Sequence, residues 1–150
     1  MAGGGLASVL LGLAGCSSLG PSLAPGVTHN LGYPQGVSLQ PAQGAERVGW
    51  ENAHQLAVVT YGSSDCPLLP LSVGAAGNLV AVIVGTTVSV DSPCLADNAA
   101  TTSLVPVPKT IDVSQPVVVV IHIAPGEPAV YPSLGANEHT MVTLPPFGSP

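Results

Sequence analysis

The chain has 150 residues, with two basic side chains (Arg47 and Lys109) against eight acidic ones and a net charge of −6 at pH 7. Nucleic-acid binding and polybasic attachment to anionic lipid both draw on Lys and Arg, so this balance excludes nucleic acid as a partner and leaves membrane contact to covalent or apolar means. Only 7% of residues are charged while 46% are hydrophobic, which argues against global disorder and for one domain with a single modest core.

Residues 6–15, Leu-Ala-Ser-Val-Leu-Leu-Gly-Leu-Ala-Gly, form an uncharged apolar run. Its length suits the hydrophobic region of a signal peptide and falls short of the roughly twenty residues a spanning helix needs. The run closes on Leu13-Ala14-Gly15-Cys16, which resembles the lipobox of bacterial lipoproteins. That resemblance implies cleavage after Gly15, diacylglycerol on the Cys16 thiol and an acylated (palmitate-bearing) mature N-terminus, anchored at the extracytoplasmic face of the cell membrane. Two or more acyl chains give stable anchoring where one gives marginal binding. Ser17 is not the Asp that retains some lipoproteins at an inner membrane. Met1-Ala2-Gly3-Gly4-Gly5 lacks the Lys or Arg expected ahead of such a run, so Met1 reads as a misplaced start or a trimmed one.

Residues 16–45 hold Gly, Pro, Ser and Gln without strand or helix period and read as a flexible tether with an r.m.s. reach of roughly 30 Å. His29 and Tyr33 lie within it and receive no role. Residues 46–150 are then a β-rich domain ending in a Pro-rich, less ordered tail. Residues 56–61 read as a strand and 62–65 as a turn. A second strand over 68–73 carries Pro70, which confines it to an edge or a bulge. Ala75-Ala76-Gly77-Asn78 has hairpin chemistry and 79–84 is the return strand. Gly85 marks a bend before a further strand over 86–90.

Residues 94–98 look irregular, 101–107 extended, and Asp112 to Pro116 a turn. Val117-Val118-Val119-Val120-Ile121-His122-Ile123 is the strongest strand signal and predicts a central strand packed on both sides. If exposed it is an aggregation hazard. Residues 139–144 form a last strand. No amphipathic helix emerges, and the fold class is all-β: a small antiparallel sandwich or partly open barrel.

With Cys16 lipidated, Cys66 and Cys94 remain as an even pair in an oxidising compartment and predict a disulfide, with two buried free thiols as the alternative. In the chain-entropy model such a bridge contributes roughly 3–4 kcal/mol. Neither cysteine has zinc-site spacing.

Trp50, residues 56–67 (Leu-Ala-Val-Val-Thr-Tyr-Gly-Ser-Ser-Asp-Cys-Pro), Cys94-Leu95-Ala96-Asp97 and Thr101-Thr102 together resemble a family of small actinobacterial lipoproteins of unknown function. Those proteins show a Gly-Ser-Ser-x-Cys-Pro turn and a later Cys-x-x-Asp…Thr-Thr pattern, and the likeness covers residues 50–125. It implies an export route and the Cys66–Cys94 disulfide, and no chemistry. Between Gly74 and Val90 this chain departs from the pattern, being unusually apolar and lacking acidic turn residues.

Gly62-Ser63-Ser64-Asp65 superficially resembles a nucleophile turn but lacks GxSxG spacing and a following helix, and reads as a hydroxyl-rich turn leading into the disulfide. His29, His54, His122 and His139 show no H-x-H or H-x-x-x-H spacing, and Asp91 with Asp97 supplies too few oxygens for calcium. No metal, cofactor or catalytic residue is assigned. The expectation is a non-enzymatic envelope lipoprotein whose domain binds an envelope protein or glycan, or serves structure. The alternative is an exported hydrolase or metal-binding protein with a site assembled from dispersed Ser, His and Asp.

Overall fold

The computed structural model describes residues 21–43, 45–89, 91–124 and 139–150. The expected signal peptide and Cys16 lie outside them, as does Val90. Nine strands are present among the described residues: β1 (Thr28–Leu31), β2 (Gln40–Pro41), β3 (Arg47–Asn52), β4 (Gln55–Gly62), β5 (Leu69–Ala76), β6 (Leu79–Gly85), β7 (Ala99–Pro106), β8 (Val117–Ile123) and β9 (His139–Leu144). They form two sheets, ordered β1-β7-β4-β3-β2 and β5-β6-β8-β9. The fold is an all-β sandwich, and the sheets do not close into a barrel.

The expectation of a wholly antiparallel arrangement needs correction at one pair. β6 and β8 run parallel, Leu79 opposite Val118 through Val84 opposite Ile123. Parallel neighbours need a crossover, and here β7, in the other sheet, provides it. The core lies between the sheets. Val48, Leu56, Val58 and Val105 meet Val80, Val82, Val84, Val117, Val119, Ile121 and Leu144, all almost fully buried.

Local chemistry explains several elements. Gly77 at φ +58° opens a two-residue loop between the paired Ala76 and Leu79. A positive-φ Gly at the first turn position is the pattern of a II′ hairpin. Pro70 sits on β5 at a sheet edge, beside a register shift between Pro70 and Ser72. Such a place costs no ladder hydrogen bond. Residues 86–89 are not the strand expected after Gly85. The Thr86 hydroxyl accepts the Val88 N–H at 3.2 Å, and this local turn competes with continued pairing.

The largest correction concerns the expected tether. Within it, β1 pairs with β7 (Thr28 opposite Leu104) and β2 with β3. These strands occupy opposite edges of the five-stranded sheet, so residues 32–39 must cross its outer face as a strap. Beneath the strap Ala57 and Val59 are fully buried although they lie outside the core cluster. Gly49 makes the close approach possible. A Cβ there would collide with the Ser38 carbonyl oxygen and lie 2.9 Å from Val37 Cγ1.

Gly49→Ala is therefore expected to cost about 1–2 kcal/mol, because backbone must yield to the methyl. Gly74 on β5 has open space where a methyl group would lie, and Gly74→Ala is expected to stay within about 0.5 kcal/mol. Urea denaturation of the two variants measures the difference.

Candidate functional site

Three segments converge at one end of the five-stranded sheet. β1 leaves toward Gly32 and Tyr33, β4 ends at Tyr61-Gly62 and runs on into Ser63-Ser64, and β7 begins at Ala99 opposite Gly62. Gly32 N–H donates to the Ala100 carbonyl at 2.8 Å, and the Thr102 hydroxyl donates to the Gly32 carbonyl at 2.6 Å. These bonds fix the turn, at φ +92° for Gly32, that sends the strap over the sheet.

Tyr33 and Tyr61 meet at this end. Their hydroxyls share a hydrogen bond at 2.8 Å, and their rings stand edge to face with centroids 6.2 Å apart. That bond, followed by partial desolvation, holds the Tyr33 hydroxyl above the ordinary tyrosine range, because a proton shared with the Tyr61 oxygen is harder to remove. Alongside lies an open cleft of about 190 Å³, lined by Asn30, Leu31, Tyr33, Gln35, Glu51 and Thr102 among others. Leu31 and Tyr33 are 63% and 58% exposed. The cleft thus presents an aromatic face and an apolar side chain beside amide and carboxylate groups, the mixture that orients small ligands.

Beside the tyrosines is the serine turn. Cys66 and Cys94 form a disulfide with Cα atoms 5.6 Å apart. Next to it, Ser64 donates both its hydroxyl and its N–H to the Asp97 carboxylate, the latter at 3.0 Å. Ser63 is buried, and its hydroxyl accepts the Asp65 N–H at 3.2 Å. The two Ser64 donors, hydroxyl first, hold the Asp97 carboxyl below the usual carboxylate range. A carboxyl depressed in the folded state adds stability that is present above its unfolded pKa and lost as pH falls through the folded one. Wild-type protein is therefore expected to lose more thermal stability than Asp97→Asn between pH 5 and about pH 2. Parallel melts across that range decide it; equal slopes would contradict it.

A second cleft, of about 240 Å³, lies at the β3–β4 hairpin end between Trp50 and the C-terminal tail. Trp50 donates its indole N–H to the Pro145 carbonyl at 2.8 Å and stands edge to face with Phe147 at 5.9 Å. The tail expected to be less ordered is thus held on the sandwich, with Phe147 N–H also donating to the Val113 carbonyl.

The histidines singled out by sequence are brought together only as one cross-strand pair. His29 is on β1 and His54 in the β3–β4 turn, where its N–H donates to Asn52 Oδ1 at 2.8 Å. His122 and His139 are register partners across β8 and β9. Among the described residues no group of three or more His, Cys, Asp or Glu could hold a metal ion.

No family model, no curated protein and no solved structure matches this chain. The site therefore rests on its own geometry. Sequence reasoning passed over Tyr33 and Tyr61 because no spacing links them. A signal was present in their scarcity: of one Trp, three Tyr and one Phe, four are used in two edge-to-face pairs.

Proposed function

We propose that this chain is an exported lipoprotein of the small actinobacterial type, held to the extracytoplasmic face of the cell membrane by diacylglycerol on Cys16. Its sandwich serves as a non-catalytic binding or structural domain. The observation that carries this reading is Leu13-Ala14-Gly15-Cys16 at the end of the apolar run over residues 6–15. The Cys66–Cys94 disulfide supports it, since such bonds persist in oxidising compartments. Among the described residues no helix is long and apolar enough to cross a membrane.

Binding is favoured over catalysis by how the serines are used. Ser64 gives its hydroxyl to Asp97, whose carboxyl is held below its usual range and so is a poor proton acceptor, and Ser63 is buried. A nucleophile needs an effective base at its hydroxyl and room for substrate. The Tyr33–Tyr61 end offers the recognition surface, for an envelope protein or a glycan.

Cys16→Ala is expected to shift the protein from the membrane fraction to the soluble one. Intact mass of the wild type should correspond to a chain beginning at Cys16 plus acyl groups. Unchanged partitioning of the variant, or an unmodified Cys16, would refute the anchor.

A further inference from the structure

The two sheets differ in how their outer faces are finished. The strap covers the five-stranded sheet, whereas no described segment plays that part on β5-β6-β8-β9. Its outer face is built from alternate residues in register: Leu79 beside Val118, Ala81 beside Val120 and Ile83 beside His122. Thr143, Met141 and His139 stand opposite Val118, Val120 and His122, so the face is apolar except for one histidine pair and a threonine. Ile83 is 38% exposed and Met141 41%, while Leu79, Ala81, Val118 and Val120 are half-buried. None of the four strands contains Asp, Glu, Lys or Arg. An apolar sheet face of this kind marks an interaction surface.

We propose that this face rests on the bilayer that holds the Cys16 lipid, which makes the inference dependent on the anchor proposed above. The length of chain between anchor and domain argues for it. Ala24 N–H donates to the Pro70 carbonyl at 2.9 Å, so the N-terminal segment joins the domain at the edge strand of this very sheet. From Cys16 to Ala24 are eight residues, a span of at most about 28 Å when fully extended. A domain of this size has a radius of gyration of about 14 Å and is thus wider than its leash is long. The leash keeps the attachment edge within about 28 Å of the lipid, and the face beside it brings no Asp, Glu, Lys or Arg to be stripped of water at the headgroups. A second copy of the chain is the weaker occupant, since two chains of charge −6 repel one another.

Met141 reports directly on the face, because it is the only methionine other than Met1. The acylated protein, purified from membranes and inserted into preformed phosphatidylcholine vesicles, is exposed to the water-soluble oxidant chloramine-T. Sulfoxide formation is then followed by peptide mass. Leu31→Met on β1 of the other sheet supplies a second reporter in the same molecule.

Oxidation at Met141 is expected to be at least five-fold slower on vesicles than in the Cys16→Ala protein free in solution, with the reporter at position 31 unchanged. Equal rates at Met141 in protein that floats with the vesicles overturn the inference and leave the anchor standing. Equal slowing at both positions also overturns it, as general shielding near lipid. Protection of Met141 in the free Cys16→Ala protein that disappears on dilution overturns it in favour of a dimer. Protein that fails to float and carries an unmodified Cys16 overturns the anchor and the inference together.

Discussion

Replacing Cys66 and Cys94 together by Ser is expected to lower stability by about 3–4 kcal/mol and the melting temperature by about 10–15 °C. The two cysteines are 28 residues apart, and closing a loop of that length removes most of this free energy from the unfolded chain. Placement adds to length. Cys66 lies where the chain passes from β4 in one sheet to β5 in the other, and Cys94 where it passes back from β6 to β7. The bond therefore ties both crossings together. Its loss also frees the partners around it: Ser64 and Asp97 sit on the two joined segments, so the Asp97 carboxyl should return toward its ordinary range. Chemical denaturation of the double variant, with the acid melts repeated on it, measures both effects. A loss below about 1 kcal/mol would show that the joined segments are held by packing alone.

Asn78→Ala is expected to cost about 2–3 kcal/mol, large for a turn residue. The Asn78 amide donates to the carbonyls of Asp112 at 3.1 Å and Pro116 at 2.8 Å, and its oxygen accepts the Asp112 N–H at 2.8 Å. Its main-chain carbonyl accepts the Val118 N–H at 3.1 Å. One side chain in the β5–β6 hairpin thus sets the β7–β8 loop and the start of β8, whose parallel pairing to β6 begins at Val118. The loop is braced internally as well. Asp112 accepts the Ser114 hydroxyl at 2.6 Å and N–H at 3.0 Å, hydroxyl foremost in holding its carboxyl below the usual range. Asn78→Asp should be at least as damaging as Ala, because it keeps one acceptor, loses both donors and brings a carboxylate against two carbonyl oxygens. Urea midpoints rank the three proteins; an Asp variant close to wild type would contradict the assignment of the amide as donor.

The strands legible in the sequence were those whose residues pack through their own side chains. β4, the β5–β6 hairpin, β7, β8 and β9 lie close to where alternation, β-branching and Gly-Asn punctuation put them. The Cys66–Cys94 pairing followed from counting cysteines once Cys16 was set aside. β1, β2 and the strap were missed because their hold on the sheet is made by backbone: Gly32 to Ala100, Ala42 to Glu46, and Ser38 over Gly49. Such contacts leave no hydrophobic period. A trace existed in β4, where residues 56–60 are buried without alternation, as a strand covered on both faces requires. The same reasoning applied to the longer apolar run of β8 gives the opposite outcome, since its residues 117–121 alternate between buried and half-buried. A continuous apolar run therefore does not by itself tell whether the chain covers both faces of a strand.

The strap also sets a timetable. β1 closes its edge of the sheet only through β7, with Thr28 opposite Leu104. In a chain delivered N-terminus first, the segment that shields Ala57 and Val59 arrives before the strands it shields and has nothing to dock on until Ala99–Pro106 follows. Pairing over such a separation is slow. The apolar back of β4 is then uncovered for the interval, a window in which another chain's strand edge competes for it. Starting a chain at Arg47 makes that window permanent.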